Sequence, residues 1–380
     1  MTAEYDCLPG LSQDVAAAPQ TATPGAPGHG CGHNLLGVGA LGAVYALKAA
    51  LSEAGGSGTV VLYGTPAEEG GFSKAFMAHS GAFRECDFTL AWHPSFSNHD
   101  NIGKWPGMVG LTFDFTGRTA HAGMDPEAGR SALDAAQICN IAAEFLREHT
   151  PDGVRIHYII SDGGAANNIV PGRAQCRYGI RAVDLDVLED VTARVIRCAE
   201  GAAHATDTAL VVRRGMGLHP GLQNTVLAQA AQEARRLVPP EDFDADDLAF
   251  ADAINRQVEG YCEGITPPID WQDETLLNKN DFFSTDYSEL MFIAPGFQFS
   301  ESIGASLATA HSWMMTACAG SAAGRKAMIR AAKLMAVTAW LIMSNPQRLE
   351  EAKEAFIRAT GGRQYESLLG PDAGEPWIKQ

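Results

Sequence analysis

Basic residues are scarce in this sequence. Its 380 residues include 28 Lys and Arg against 45 Asp and Glu, which gives a formal net charge of −17. Nucleic acids and anionic membrane surfaces repel such a chain. We therefore expect no nucleic acid partner and no membrane association, and we expect any anionic substrate to be held by a few local cations.

Regularly spaced cysteines and long apolar runs are also missing. The eight cysteines are dispersed along a chain that is long enough to fold without disulfide bonds. The first residues, MTAEYDCLPG, contain neither the basic nor the apolar segment of a secretion signal. Arg330 and Lys333 interrupt the most apolar stretch near the other end. These absences predict reduced thiols and a cytoplasmic protein.

Apolar residues make up 46% of the chain, which is enough for a large core. A Gly- and Ala-rich segment at 35–51 predicts a helix that lies close against a sheet. The runs TVVLYG at 59–64 and DFTLAW at 87–92 predict buried strands, with a helix between them around 72–83. This alternation predicts an α/β fold with a mainly parallel sheet, whose functional residues lie at the carboxyl ends of its strands.

The middle of the chain has a different pattern. Alternating apolar residues predict four strands, and apolar residues at helical spacing predict two helices, one with Ile138, Ile141 and Phe145 on one face. The resulting order β-α-β-β-α-β is that of a ferredoxin-like domain. We therefore predict a second domain at residues 107–215, inserted into a first domain that comprises 1–106 and 216–380.

Helical periodicity returns after the inserted domain, at 222–238 and again at 324–343. The stretch at 239–280 is acidic and contains several prolines, which predicts loops and short helices. The charged residues beyond 343 predict a tail on the surface.

The segment GHGCGH at 28–33 places reactive side chains in a loop. Cys31 and His33 are two positions apart, so that an extended backbone directs both side chains to one side. This arrangement is typical of two ligands to one metal ion, and the flanking glycines permit close approach of the backbone. The alternative is a buried cysteine that fills space and a histidine that begins a helix.

Two further motifs follow predicted strands. Glu68 and Glu69 stand side by side in GTPAEEGG, where one carboxylate suits a metal ligand and the other a general base. His93 ends the next strand, in LAWHP. For each motif alone, a solvated pair of glutamates and a structural histidine are the alternatives. Together with Cys31 and His33 they predict mixed ligands for Zn²⁺ or a similar ion, and their number favours two ions.

Six segments together resemble the metal-dependent aminoacylase/carboxypeptidase family, and within it an amidohydrolase branch that acts on N-acyl amino acids. They are GHGCGHNLLG, GTPAEEGG, AWHP, GRTAHAGMDPEAGRSALDA, NNIVPGRAQCRYGIRA and AHSW, and they span nearly the whole chain. The resemblance implies a two-metal peptidase domain that is interrupted by a ferredoxin-like lid, through which two copies form a homodimer. This organisation agrees with the domain order predicted from the residue pattern.

The resemblance also implies a role for each site residue. Glu68 is implied to be the general base, and the implied metal ligands are Cys31 as a thiolate, His33, Glu69, His93 and, in AHSW, His311. The implied cofactors are two divalent ions, zinc or manganese. Water activated by the ions and by Glu68 then attacks an amide carbonyl.

The inserted domain contributes the remaining residues that the resemblance implies. His121 in TAHAG is implied to stabilise the oxyanion across the dimer interface. Arg181, whose guanidinium suits a carboxylate, and Asn168 in NNIVP are implied to bind the free carboxylate of a small-molecule substrate. Without the resemblance, His121 and Arg181 are equally well explained as ordinary surface residues.

We therefore predict a dimeric, two-metal amidohydrolase. Its expected reaction is cleavage of the amide bond of an aminobenzoyl-glutamate-like N-acyl amino acid or of a dipeptide. The alternatives are a non-catalytic homologue that only binds a ligand and a structural metal module. Glu68 argues against both, because neither requires an unligated base.

Two positions depart from the family pattern. Asn34 stands where the wider family has Asp, although the branch itself also has Asn. The segment AEYDCLPGL, which begins here at residue 3, follows several dozen residues in relatives. The expectation is either that the sequence is a truncated gene model, with the first part of the catalytic domain missing, or that the first domain has a smaller sheet with an exposed edge.

Overall fold

The computed structural model describes residues 1–270, 276–281, 283–371 and 373. Residues 271–275 of the predicted loop region and the end of the predicted surface tail lie outside the described residues. The strands are β1 (Thr2–Ala3), β2 (Tyr63–Gly64), β3 (Thr89–Ser95), β4 (Asp100–Asn101), β5 (Gly107–Thr116), β6 (Arg155–Asp162), β7 (Arg173–Ala182), β8 (Ala209–Leu218), β9 (Leu276–Leu277) and β10 (Gly296–Ser302). The helices are α1 (His33–Glu53), α2 (Glu68–Gly71), α3 (Ser73–His79), α4 (Ala132–Arg147), α5 (Leu185–Thr206), α6 (Thr225–Leu237), α7 (Ala245–Asn255), α8 (Ser288–Met291), α9 (Trp313–Gly320), α10 (Ala322–Met343) and α11 (Pro346–Thr360).

Parallel strands and covering helices make up most of the molecule outside the middle of the chain. β1 pairs with β2, β3 with β10, and β4 with β9, in each case in parallel. α1 and α10 pack against each other and against β3, and α6 packs against α10 and β10. This architecture confirms the predicted α/β fold with parallel sheets.

The two strands predicted as buried differ in their surroundings. In β3, Leu90, Ala91 and Trp92 are at most 1% exposed, as a central strand requires. The run at 59–64 forms a strand only at Tyr63–Gly64, and Val61 is 42% exposed. The prediction of a buried strand there is wrong, because within the described residues β2 pairs along one edge only, with β1.

Helix α1 lies close against β3, as its small residues predict. A Cβ atom at Gly39 would lie 2.7 Å from Nε1 of Trp92, so a larger residue would push the helix away from the strand. That indole nitrogen donates a hydrogen bond to the backbone oxygen of Leu36 at 3.1 Å. α1 is also long and apolar enough to cross a membrane by length and composition. Its buried residues, which include Ala40 and Leu47, nevertheless belong to the main core.

Residues 107–218 form an antiparallel sheet with the strand order β6-β7-β5-β8, against which α4 and α5 pack. These elements have their own core, in which Phe113, Cys176 and Val191 have no exposed surface. Both helices begin at a side-chain cap, Ser131 for α4 and Asp184 for α5. The observed order confirms the ferredoxin-like arrangement, whereas the exact domain boundaries stay a prediction.

Helix α4 buries its small residues and exposes its large ones. Its buried face is rich in alanine, whereas Ile138, Ile141 and Phe145 are 40%, 54% and 70% exposed. The Ala-rich face packs against α5 and the sheet, where little space separates the elements. The three apolar residues that the sequence pattern places on one face of the helix therefore point away from this core.

The chain beyond 343 is more ordered than a surface tail. Pro346–Thr360 forms α11, in which Ala352 is fully buried and accepts a hydrogen bond from Nδ2 of Asn224 at 2.8 Å. The prediction of a surface tail is therefore wrong for this segment. Most residues of this helix are polar or charged, and only a narrow face with Ala352 and Thr360 is buried. A sequence pattern therefore does not show that the segment packs against the rest of the protein.

Candidate metal centre and active site

The structure brings together five side chains that the sequence analysis names as metal ligands. The ligand atoms of Cys31, His33 and His93 lie within 4.8 Å of one another, and so do those of Cys31, Glu69 and His311. Cys31 belongs to both groups. This is the arrangement that a ligand shared by two neighbouring ions requires.

The backbone at this place adopts conformations that side chains disfavour. In the described chain, four residues other than glycine have a positive φ, and three of them lie here: Ala67 at 55°, Phe72 at 50° and His311 at 57°. Ala67 and Phe72 flank the short helix α2, which carries Glu68 and Glu69. Such strain persists where the surrounding structure fixes the position of a functional group.

His33 lies at the first turn of α1, between two carboxylates. Its Nδ1 lies 2.9 Å from Oδ1 of Asp6, and its Nε2 lies 3.2 Å from Oε2 of Glu4. Burial alone would lower the pKa of His33, but the hydrogen bond with Asp6 and the Glu4 charge outweigh it and raise this pKa to about 9. Without a metal ion, the imidazole therefore holds a proton.

His93 and Cys31 meet at the end of β3. Nδ1 of His93 donates a hydrogen bond to the backbone oxygen of Pro94 at 2.7 Å, which leaves the lone pair of Nε2 directed toward Sγ of Cys31, 3.6 Å away. Burial, with the charge of His33, lowers the pKa of His93 to about 4. The imidazole is therefore neutral and ready to act as a ligand.

The pKa of the Cys31 thiol lies well above its ordinary value. Burial is the main cause, and the carboxylates of Glu69 and Glu68 add to it. A thiolate at this position requires a nearby cation.

Glu68 and Glu69 have different surroundings. Oε2 of Glu69 lies 3.4 Å from Nε2 of His311, and its Oε1 is buried with no hydrogen-bond partner among the described residues. Glu68 instead groups with Glu4 and His33. Burial and the charges of Glu4 and Asp286 raise the pKa of Glu68 to about 8.

These observations fit a divalent cation. Thiol, imidazole and carboxylate groups together are a donor set for zinc and similar ions. The buried oxygen of Glu69 lacks a partner in the described chain, and such an atom is costly unless a ligand satisfies it. Bound cations also offset the crowding of acidic groups that raises the pKa values of Cys31 and Glu68.

Sequence reasoning missed a buried ionic network behind the ligands. Nζ of Lys74 lies 2.9 Å from Oε1 of Glu4 and also contacts Oδ1 of Asp286, and all three side chains are at most 1% exposed. Asp6 connects the network to the ligands, because it contacts His33 and accepts the backbone N–H of Glu69 at 2.9 Å. The alternating carboxylates of Glu4 and Asp6 in AEYD were the available signal.

A cavity of about 510 Å³ opens beside the ligands and is lined by Cys31, Glu68, Glu69, His93 and His311. Ser284, on another part of its wall, accepts a hydrogen bond from Nη1 of Arg181 at 3.0 Å. The structure thus brings the predicted carboxylate-binding arginine of β7 next to the cavity of the same chain.

His121 and Asn168 do not line this cavity in the described chain. They lie together on an exposed part of the inserted segment, where the backbone oxygen of Asn168 accepts the N–H of Ala122 at 2.9 Å. Nδ1 of His121 accepts two backbone N–H groups, from Gly123 at 3.2 Å and Met124 at 3.1 Å. Its Nε2 therefore carries the proton and faces outward as a donor.

Comparisons with known proteins agree with this arrangement. The peptidase dimerisation domain matches residues 106–207. The chain is 32% identical to a p-aminobenzoyl-glutamate hydrolase chain from Escherichia coli K12, with 95% of this chain and 80% of that protein covered. It is 28% identical to Xaa-Arg dipeptidase from Mus musculus, with 93% and 72% covered.

A solved structure shares the fold. It is a dinuclear metal-binding peptidase of the M20 family from Bacillus subtilis, with a TM-score of 0.58, 15% identity and coverage of 90% of this chain and 80% of that one. The identity to the Escherichia coli hydrolase over most of both chains establishes the relationship. The chain therefore belongs to the metal-dependent aminoacylase/carboxypeptidase family, the M20 peptidases, and is an amidohydrolase of that family.

Proposed function

We propose that Cys31, His33, Glu69, His93 and His311 bind two divalent ions, either zinc or manganese, and that Glu68 is the general base of amide hydrolysis. The observation that carries this proposal is the membership of Cys31 in both ligand groups, with Glu68 in the same cavity. A thiolate at Cys31 would offset part of the charge of the ions held by these residues, and Glu68, which belongs to neither group, is left as a base.

Divalent ions in such a site acidify water and polarise an amide carbonyl. Glu68 accepts the proton of the attacking water and returns it to the nitrogen of the leaving amine. Bound cations offset the burial and the neighbouring carboxylates that raise the pKa of Glu68 in the chain alone, and they thereby favour the carboxylate form that accepts a proton. Asp6 orients His33 through the hydrogen bond at Nδ1.

The substrate we propose is an N-acyl amino acid of the aminobenzoyl-glutamate type or a dipeptide. The names of two relatives, a p-aminobenzoyl-glutamate hydrolase and an Xaa-Arg dipeptidase, support this class. Both kinds of compound carry a free carboxylate. Arg181 lies next to the cavity through its bond to Ser284 and is the cation that we assign to this carboxylate. Asn168, which lies beside the His121 loop and away from this cavity, would reach the carboxylate from the partner copy, as His121 would.

We further propose that two copies dimerise through residues 107–215 and that 1–106 and 216–380 form the catalytic domain. The exposed stripe of Ile138, Ile141 and Phe145 on α4 supports a contact surface of this kind. In the dimer, the outward-facing Nε2–H of His121 from one copy would stabilise the oxyanion in the site of the other. We assign the enzyme to the cytoplasm, which the absence of disulfides among its eight cysteines supports.

The test uses Glu68→Gln with matched metal loading. Purified protein is reconstituted with zinc or manganese, and release of the free amino acid is measured for hippurate-like, aminobenzoyl-glutamate-like and dipeptide substrates. We expect the rate to fall by a factor of about 10²–10⁴ while two ions per chain remain bound. Glu53→Gln, an exposed glutamate at the end of α1, is the control and keeps the full rate.

Unchanged hydrolysis by metal-loaded Glu68→Gln would show that this residue is not the base. A fully loaded wild-type chain that cleaves no member of the panel would favour a non-catalytic ligand-binding homologue. A chain that binds a single ion would contradict the shared role of Cys31.

A further inference from the structure

Gln298 presents an unused hydrogen-bond donor to the catalytic cavity. The residue lines the cavity and is 7% exposed, and its Nε2 has no hydrogen-bond partner in the described part of the chain. Its backbone, by contrast, is fully bonded: the N–H donates to Oε1 of Gln223 at 3.0 Å, and the oxygen accepts from Nε2 of Gln223 at 2.9 Å. A buried amide without a partner is costly, which indicates that a ligand satisfies it.

The position of Gln298 connects this donor to the metal ligands. In the parallel pairing of β3 and β10, Ser300 is opposite His93 and Gln298 is opposite Ala91. Side chains two positions apart on a strand share a face, so Gln298, Ser300 and His93 lie on one side of the pair. The free amide therefore lies on the same face of the two strands as the proposed metal ligand His93.

Asp281, in the segment between β9 and α8, lines the same cavity. Its Oδ2 accepts a hydrogen bond from Nδ2 of Asn101 at 2.6 Å, and Asn101 in turn bonds to the backbone of Lys279, which fixes the carboxylate in place. No Lys or Arg within the described ranges forms an ion pair with Asp281. The imidazole of His99 lines the same cavity near Asp281, but burial lowers its pKa and so favours its uncharged form. An anchored carboxylate in these surroundings suits an N–H donor on the ligand.

Aromatic rings form part of the wall of this cavity. The rings of Trp105 and Phe283 are 5.2 Å apart, and both residues line the cavity. Arg181 lies behind Ser284 at the cavity wall. The cavity therefore combines an aromatic wall with a cation for a carboxylate and an anion for an amino group.

We propose that Asp281 is a specificity-determining residue that binds an amino group on the acyl half of the substrate, while Gln298 donates a hydrogen bond to the same half. The inference rests on the proposed amide hydrolysis. It assigns to Asp281 the recognition of the amino group that aminobenzoyl amides and dipeptides share, and it predicts that acyl groups without an amino group are poorer substrates.

The experiment compares two amides that differ by a single amino group, N-(4-aminobenzoyl)-glutamate and N-benzoyl-glutamate. We expect the metal-loaded wild-type enzyme to cleave the amino compound with a kcat/KM that is about tenfold to hundredfold higher, the value of a charge-assisted hydrogen bond. Asp281→Asn lowers kcat/KM for the amino compound alone. The ratio of the kcat/KM values of the amino compound and the benzoyl compound then comes close to one. Gln298→Leu lowers kcat/KM for both compounds, and Asp152→Asn, an exposed carboxylate in a distant loop, leaves the ratio unchanged.

The ratio in the wild-type enzyme tests the proposal even if a variant fails to fold. Equal kcat/KM values for the two amides would overturn the role of Asp281 and leave the hydrolase assignment intact. The same conclusion follows if metal-loaded, folded Asp281→Asn keeps the wild-type ratio. Failure of the loaded wild-type enzyme to cleave either amide, or any dipeptide, would instead overturn the proposed function itself.

Discussion

Sγ of Cys31 lies 3.6 Å from Nε2 of His93, although 62 positions separate the two residues in the chain. The contact joins the loop before α1 to the end of β3. Gly32 makes it possible, because its φ of 78° and its lack of a side chain let the loop lie directly on Pro94, where a Cβ atom would be 2.8 Å away. Sγ of Cys31 and Nε2 of His93 are thereby directed at the same position in the cavity.

Replacement of the shared ligand is expected to affect both ions. Cys31→Ser removes the only sulfur of the two ligand groups, so we expect metal content to fall below two ions per chain after dialysis and hydrolysis to be lost. Metal analysis by mass spectrometry gives the content. Cys7→Ser, an exposed thiol outside both groups, is the control and retains both ions. Full metal content in Cys31→Ser would rule out a bridging role.

The metal-free protein is expected to lose stability as the pH rises. The pKa values of His33 and Glu68 are about 9 and about 8 in the folded chain, above their ordinary values of 6.5 and 4.5. A raised pKa contributes stability that is complete below the ordinary value and is lost as the pH rises through the folded value. Urea unfolding of chelated protein should therefore give a lower free energy at about pH 9 than at about pH 6, by roughly 3 kcal/mol for His33 alone.

Metal ions reverse this dependence, since they bind the deprotonated ligands and compete with protons. The loaded protein should accordingly become more stable relative to the chelated one as the pH rises. His33→Gln, in the chelated state, should lose the part of the pH dependence that belongs to the imidazole. A flat profile for the chelated wild-type chain would contradict the ion pairs of His33 with Glu4 and Asp6.

The carboxyl ends of predicted strands pointed to residues that the fold brings close together. TVVLYG and DFTLAW precede Glu69 and His93, and the rule that parallel strands end at one sheet edge predicts that these residues lie near Cys31. The structure brings them together, although β2 and β3 pair in separate two-stranded sheets and only Tyr63–Gly64 of TVVLYG is a strand. His311 follows β10, a strand that the sequence analysis does not predict, so only the family resemblance pointed to it. Its approach to Glu69 depends on a positive φ that a sequence pattern does not reveal.

Charged residues inside the core were the main omission. Lysine is rarely buried, so a local pattern assigns Lys74 to the surface. Its partners Glu4 and Asp286 are distant in the chain, and only the folded structure brings the three together. Helix α4 shows the converse, because Phe145 fits an apolar stripe and yet is exposed. The spacing of apolar residues identifies an apolar face of a helix. It does not identify the element that packs against that face.

Loss of the buried ammonium group is expected to destabilise the fold. Lys74→Met removes the cation that the buried carboxylates of Glu4 and Asp286 share and leaves Glu4 with His33 as its ion-pair partner, which costs about 3–5 kcal/mol of unfolding free energy. Urea unfolding of the chelated protein measures the change. The double variant Lys74→Met with Asp286→Asn removes one of the stranded charges and should recover part of the loss. A cost below about 1 kcal/mol would show that the network contributes little.

Disruption of the exposed stripe on α4 is expected to separate the dimer. Phe145→Asp places a charge on a side chain that is 70% exposed in the single chain, so the monomer should fold normally. Light scattering should then report monomers, with both ions retained and hydrolysis lost because His121 no longer reaches a partner site. Val211→Asp, on β8 and 57% exposed, is a matched control on another face. A fully active monomer would contradict catalysis across the interface.

Two inactive variants should restore activity to each other if His121 acts in the partner's site. Glu68→Gln lacks the base and His121→Ala lacks the oxyanion donor, so each homodimer is inactive. In a mixed dimer, the His121→Ala chain supplies an intact Glu68 and receives His121 from the Glu68→Gln chain, which completes one of the two sites. Equal mixing should then yield about a quarter of the wild-type rate, because half of the dimers are mixed and each has one complete site. Mass spectrometry of differently tagged chains verifies that mixed dimers form; if they form and stay inactive, His121 acts within its own chain or not at all.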